Sequence, residues 1–251
     1  ENSNAEILGD EPFQFHQKFP NVMVAVDANR ANGIQQLLSK DEKPEIILLD
    51  DAYQHRKVKA GFYILLTSYG DLYTDDFMLP TGNLRESRSG AARANIVVVT
   101  KCPKILTEEE QTKIRLKLKL NAAQQVFFTF IDYDMVIFGK NEKIAVNEIK
   151  SESKLLLAGI AKPKPFFDCL KNESDECLTF PDHHHFSDAD LDAIRNKANG
   201  RKIITTEKDY VRLKDSELVD QLYYLPIKSS FINHQQDFDA TILEYVKENL
   251  E

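Results

Sequence analysis

Several short stretches of this chain concentrate side chains able to move protons or hold anions. Residues 46–49 (Ile-Ile-Leu-Leu) run apolar into Asp50 and Asp51, followed by Ala52, Tyr53, Gln54, His55 and Arg56. An apolar strand ending in two carboxylates sets them at the carboxyl end of a sheet, where α/β proteins bind ligands. In phosphoryl-transfer enzymes of the P-loop class that position holds the Walker B acid, which supports Mg²⁺. From the motif alone, a solvated turn after a strand reads equally well. A turn, however, needs no more than one Asp or Gly, whereas two acids, a titratable His and an Arg together suit a site for a metal–phosphate.

Residues 79–87 (Leu-Pro-Thr-Gly-Asn-Leu-Arg-Glu-Ser) form a second cluster, with Arg88 and Arg93 close behind. Pro80 and Gly82 set a loop, and Arg85 offers a planar fork that holds phosphate and neutralises developing charge. The alternative is a surface loop with solvated guanidinium groups. A third cluster, residues 180–186, reads Phe-Pro-Asp-His-His-His-Phe. Adjacent residues on an extended chain face opposite ways and no Cys/His pair with ligand spacing lies nearby, so zinc is not expected here. Asp182 with His183 instead suits a general base oriented by a carboxylate; His184 and His185 read as well as caps for a helix at Ser187. In the fourth, residues 203–213, a strand runs through Thr205, Thr206, Glu207, Lys208 and Asp209 into a helix, which reads as a capped junction with surface charges.

An absence matters as much. The 251 residues contain no G-x-x-x-x-G-K-S/T and no G-x-G-x-x-G, and with 9 Gly the chain offers no glycine-rich phosphate cradle. The net charge of −8 argues against nucleic-acid binding, which needs a basic face. Three Cys without a C-x-x-C fit reduced thiols. Apolar runs are too short to span a bilayer, and the acidic, polar start lacks the features of a signal peptide and reads as the middle of a protein.

The elements that must position these groups alternate between two types. Residues 22–26, 45–51, 62–68, 94–101 and 125–130 read as strands buried on both faces, with helices at 29–39 and 107–121 between them. A second series follows: strands at 155–160, 177–180, 202–206 and 222–227, helices at 165–170, 187–198 and 208–214, a hairpin at 138–144 and a closing amphipathic helix at 238–250. The pattern predicts an α/β protein with a mostly parallel sheet and flanking helices. The expected division is residues 1–140, carrying Asp50 and Asp51, and a smaller α/β domain at 141–251, carrying Asp182 and His183.

Taken together, the motifs resemble those of the tetraacyldisaccharide 4′-kinase family, the lipid A 4′-kinases of Gram-negative bacteria. The matching pieces follow the family's order: Gly9-Asp10-Glu11-Pro12, residues 24–30 (VAVDANR), 49–56 (LDDAYQHR, where the family commonly has DDGFQH), 79–86 (LPTGNLRE), 97–101 (VVVTK), 158–167 (AGIAKPKPFF), 180–184 (FPDHH) and 205–213 (TTEKDYVRL). The resemblance implies a P-loop-NTPase-like core and ATP- and Mg²⁺-dependent phosphoryl transfer. The acceptor is the 4′-hydroxyl of an acylated glucosamine disaccharide 1-phosphate. The setting is the cytoplasmic face of the bacterial inner membrane, as a peripheral protein.

Carried over by position, Asp10 resembles the catalytic acid that activates the sugar hydroxyl with His183, beside Asp182. Asp50 and Asp51 resemble the acids that hold Mg²⁺, with Glu11 and Glu86 as further acids around the metal. Arg85 would contact phosphate, and Gln54 and His55 would line the nucleotide site. Because Asp10 and His183 fall in different halves of the sequence, domain closure would complete this pair. The family carries its Walker A loop upstream of the Gly-Asp-Glu motif, so the chain resembles a fragment lacking the P-loop strand and inactive alone. Alternatives are a P-loop-less homologue acting as a lipid-binding or partner protein, and a metal-dependent hydrolase.

Overall fold

A computed structural model describes residues 9–250. Along the chain run helix α1 (Asp10–Lys18), helix α2 (Arg30–Leu38), strand β1 (Ile64–Ser68), strand β2 (Ile96–Thr100), helix α3 (Glu108–Leu118) and strand β3 (Gln125–Tyr133). Next come a hairpin of β4 (Val136–Phe138) and β5 (Lys143–Ala145), the single turn α4 (Val146–Ile149), then β6 (Leu155–Ala158), α5 (Lys164–Leu170), β7 (Glu176–Thr179) and α6 (Asp188–Ala198). The chain ends with β8 (Ile203–Thr206), α7 (Glu207–Leu213), β9 (Leu222–Leu225), β10 (Ile227–Phe231) and α8 (Gln235–Leu250).

Local chemistry explains most of the boundaries. Thr107 and Ser187 each close a capping box at the start of α3 and α6, with Glu110 and Asp190 returning the bond to the cap N–H. Asn199 ends α6 in the left-handed conformation, with Gly200 also at positive φ behind it.

The α/β expectation holds, as two sheets. One has the order β1-β2-β3-β10, with β1, β2 and β3 mutually parallel. The other has the order β5-β4-β9-β8-β6-β7, in which β7, β6, β8 and β9 pair in parallel while the hairpin strands join antiparallel through β4.

The chain forms two compact units, and they do not follow the single cut expected near residue 140. One unit combines the chain up to Val24 with Tyr133–Lys228, and the other combines Ala25–Asp132 with the chain from Ser229 on. Both exchanges have a packing cause. Phe238 and Ile242 of α8 pack against Ile96, Val98 and Phe127 of β2 and β3, which draws the C-terminal helix back to the first sheet. Helix α1 packs on α7: Lys18 pairs with Glu207 at 3.2 Å, and the Lys214 ammonium lies 4.8 Å from the Phe13 ring centroid.

Two expected strands are corrected. Residues 22–26 and 45–51 lie outside both sheets, and Leu48 is 89% exposed. Apolar, β-branched sequence gives only a preference; a strand exists by the neighbour that satisfies its backbone, and neither sheet hydrogen-bonds these segments. Asp50 and Asp51 therefore do not follow a strand.

A fully buried ion pair pins the start of β6. Lys154 Nζ lies 2.7 Å from Asp175 Oδ2, both side chains without exposed surface, and the Lys154 and Asn172 backbone N–H groups donate to the same carboxylate at 3.0 and 2.8 Å. Asp175→Asn strips Lys154 of its counter-charge, and a loss of about 3–5 kcal/mol is expected in urea unfolding. Replacing both partners by apolar residues of similar volume should recover most of it.

Candidate active site

The first group of chemical side chains lies in the unit containing Ala25–Asp132. Asp51 adopts φ 42°, in the left-handed region, and its Oδ1 accepts from Arg85 Nη2 at 2.7 Å. Both side chains are more than half exposed, at 55% for Arg85 and 71% for Asp51, so the pair is worth no more than about 1 kcal/mol. Gln54 Nε2 donates to the Asp51 carbonyl at 3.4 Å, while Asp50 and His55 are exposed.

Glu86 is engaged differently. Its two carboxylate oxygens take Arg93 Nη2 at 2.8 Å and Arg56 Nη2 at 3.4 Å. Arg93 also donates to the Tyr53 carbonyl at 3.0 Å and stacks 4.7 Å from the Tyr53 ring centroid. The Tyr53 hydroxyl donates to Gly90 O at 2.9 Å, and burial pushes its pKa up to about 12. Arg88 grips the Asp76 carbonyl through Nε and Nη2, at 2.9 and 2.6 Å. Arg56, expected with the metal–phosphate acids, and Arg88 and Arg93, expected as a locally basic segment, instead brace the loop that presents Arg85.

Two of the carboxylates expected around a metal are taken by guanidinium groups. Among the described residues no three His, Cys, Asp or Glu side chains stand together as a group able to hold a metal ion. Of Asp50, Asp51, Glu11 and Glu86, the carboxylate of Asp51 is paired to Arg85 and that of Glu86 to Arg56 and Arg93. Carboxylates already neutralised by guanidinium groups do not form a Mg²⁺ ligand shell in this arrangement.

The second group lies in the unit containing Tyr133–Lys228, at the carboxyl ends of β6, β7 and β8. Chain order sends β6 to β7 on one side and β8 to β9 on the other, so the crevice between β6 and β8 is a topological switch point. Gly159 leaves β6 there and donates its N–H to Asp209 Oδ2 at 2.8 Å. A Cβ at Gly159 would stand 2.9 Å from Asp209 Oδ1 and 3.3 Å from the Pro181 carbonyl, so only glycine fits. Asp209 is fully buried and also accepts from the Thr206 hydroxyl, at 2.7 Å.

After β7, His183 takes φ 59° and turns its ring towards α7. Lys208 Nζ lies 3.0 Å from its Nε2 and Arg212 Nη2 lies 3.3 Å from its Nδ1. Lys208 also pairs with Asp182 Oδ1 at 3.1 Å, and that bond holds the Asp182 carboxyl below its ordinary value.

The other two His residues separate from this site. His184 stacks on Phe180 with centroids 4.8 Å apart and bonds Asp190 through Nε2 at 3.1 Å, joining the cap of α6. His185 is exposed.

Asp10 opens α1, which packs on the helix carrying Lys208 and Arg212; its side chain lies outside the described positions. The elements bearing Asp10 and His183 thus belong to one unit, and no approach of separate halves is needed to bring them together. Lys208 and Arg212 are functional candidates that the sequence reading left as surface charges. The signal was their spacing: one helical turn apart, they share a face.

The chain matches the sequence profile described as "LpxK: Tetraacyldisaccharide-1-P 4'-kinase" over residues 1–247. The chain belongs to this kinase family. It is 82% identical over 251 residues to a protein of Flavobacterium johnsoniae named tetraacyldisaccharide 4'-kinase, covering 100% of this chain and 74% of that one. Like-named proteins of Flavobacterium psychrophilum and Bacteroides thetaiotaomicron are 62% and 44% identical, each covering 98% of this chain and 72% and 71% of theirs. The crystal structure titled "apo" form LpxK from Aquifex aeolicus in complex with ATP superposes with a TM-score of 0.72 at 24% identity, over 98% of this chain and 71% of that one. At that identity the likeness shows the fold.

The cap of α6 offers a pH test. Bonds from the Ser187 hydroxyl and backbone N–H, then from His184, lower the Asp190 pKa to about 2. A depressed folded value means that the stabilisation is present above the ordinary carboxylate range and is lost as pH falls towards about 2. Ser187→Ala is expected to move the Asp190 midpoint upward in a carboxyl ¹³C NMR titration.

Proposed function

We propose that this chain serves ATP-dependent phosphoryl transfer to the 4′-hydroxyl of an acylated glucosamine disaccharide 1-phosphate, the reaction its family is named for. It would act as a peripheral protein at the cytoplasmic face of the inner membrane. Among the described residues no helix is long and apolar enough to cross a membrane.

The observation that carries the reading is the Arg85–Asp51 pair. It is short but mostly exposed, so it orients the guanidinium at little cost in releasing it. A phosphate oxygen can replace Asp51 and receive the same fork in a bidentate bond. The loop is held by Arg88, Arg93 and the Glu86 pairs, so Arg85 approaches as a rigid donor, and donors fixed in advance stabilise charge that grows during transfer. Gln54, which donates to the Asp51 carbonyl, and the exposed His55 complete the proposed nucleotide side. On the acceptor side, we assign Asp10 the proton of the sugar hydroxyl and give His183 and Asp182 supporting roles.

The 251 residues hold no glycine-rich phosphate loop, so turnover by this polypeptide alone is expected at background. The decisive assay joins this chain to the part of the Flavobacterium johnsoniae relative that it does not cover, which the family resemblance implies carries the Walker A loop, and follows transfer of labelled phosphate from ATP to the disaccharide. The extended protein should form the 4′-phosphorylated product. Arg85→Ala should lower kcat about 10²-fold, and His183→Ala should lower kcat more than it raises the KM for ATP. No product from the extended protein, or unchanged kcat in both variants, overturns the reading and favours a binding role.

A further inference from the structure

The ring of His183 meets a mismatch of donors. Lys208 Nζ faces Nε2 at 3.0 Å and Arg212 Nη2 faces Nδ1 at 3.3 Å, yet an ammonium and a guanidinium both donate and neither accepts. A neutral imidazole has one lone pair in the ring plane, so it can accept from only one of them. The nearby anion on its own loop, Asp182 Oδ1, stands 3.9 Å from Nε2 and accepts from the His183 backbone N–H at 3.0 Å. That same oxygen holds Lys208 at 3.1 Å. Lys208 is therefore anchored at a second point and makes the shorter contact, which gives it the lone pair. The proton must then sit on Nδ1, because the partner of one ring nitrogen decides the state of the other.

We propose that Lys208 is a positioning residue that fixes His183 in its Nδ1–H form, so that the imidazole enters the reaction as a hydrogen-bond donor. This rests on the reading of His183 as part of the acceptor-side pair and sharpens it. Arg212 has no lone pair with which to receive the Nδ1 proton, so the N–H and the guanidinium together offer two donors to one anionic acceptor. A carboxylate or a phosphate oxygen suits that seat. The Nε2 lone pair is spent on Lys208, so the imidazole is not the proton acceptor. As the sugar oxygen bonds to phosphorus, its O–H bond breaks and the proton passes to the Asp10 carboxylate. The bond between phosphorus and the ADP oxygen breaks with its electron pair going to ADP.

Tautomers are read directly by long-range ¹H–¹⁵N NMR on this chain labelled at His, above the imidazole titration range. This measurement needs neither ATP nor lipid, so it stands or falls apart from the kinase assay. The expected result is a protonated Nδ1 and an unprotonated Nε2 at His183. Lys208→Arg should retain that pattern and Lys208→Met should lose it, with the remaining amide spectrum unchanged. A protonated Nε2 in the unsubstituted chain, or the same pattern in Lys208→Met, overturns the proposal. In the P-loop-extended enzyme, Lys208→Met should lower kcat about 10- to 100-fold, taking as a guide the loss when a metal-bound imidazole is deprived of its orienting partner, with ATP KM unchanged and Lys208→Arg partly restoring it. A switched tautomer with unaltered kcat overturns the donor role.

Discussion

A carboxylate with no exposed surface sits where strand β6 releases the chain, and the geometry around His183 depends on it. Asp209 receives the Gly159 N–H and the Thr206 hydroxyl, one from each of two neighbouring parallel strands. Both bonds converge on Oδ2, with Arg212 Nη1 3.9 Å from Oδ1; a buried charge held so depends on these contacts, and the arrangement tolerates little displacement of either strand end. Asp209 lies in the first turn of α7 and so fixes how that helix leaves β8. The faces bearing Lys208 and Arg212 follow from this, as does the side of His183 they meet. The absence of a side chain at Gly159 lets the Pro181 carbonyl and the Asp209 carboxylate approach the same point.

How much of this was legible in the sequence differs by level. Helices α2, α3, α6 and α8 were readable because caps and apolar periodicity agreed: Asn29, Thr107 and Ser187 each close a first turn. Strands β2, β3, β6 and β8 were readable because their central residues are buried on both faces. Residues 45–51 show the limit of that logic. Their composition is that of a buried strand, but pairing is a property of the neighbour and not of the segment. Helix α1 went unread because its sequence, Asp-Glu-Pro-Phe-Gln-Phe-His-Gln-Lys, has few apolar residues and gains its place by packing on α7.

The candidate site was legible in its residue types and less so in its groupings. Asp51 and Arg85, far apart in sequence, do meet. Glu86 reads as equally suited to a metal, but Arg93, which stacks on the Tyr53 ring, takes its carboxylate. The three consecutive His residues split by backbone conformation: His183 turns at positive φ towards α7, while His184 lies between Phe180 and Phe186. Lys208 escaped notice because a Lys in the first turn of a helix is ordinarily a solvated charge, and only the neighbouring loop gives it a partner.

The threading of the chain between its two units bears on how the protein is made. Each unit is assembled from segments widely separated in sequence, with exchanges after Val24, Asp132 and Lys228. During synthesis the unit containing Tyr133–Lys228 can close before the other, although most of the other has already emerged. The first sheet must wait for β10 and α8, which are synthesised about a hundred residues after β3, before Ile96, Val98 and Phe127 are covered. Long-range closure of this kind slows folding and prolongs exposure of apolar surface. The nascent chain therefore spends its most vulnerable interval with a nearly complete sheet awaiting helix α8, which is the interval in which a chaperone has most to shield.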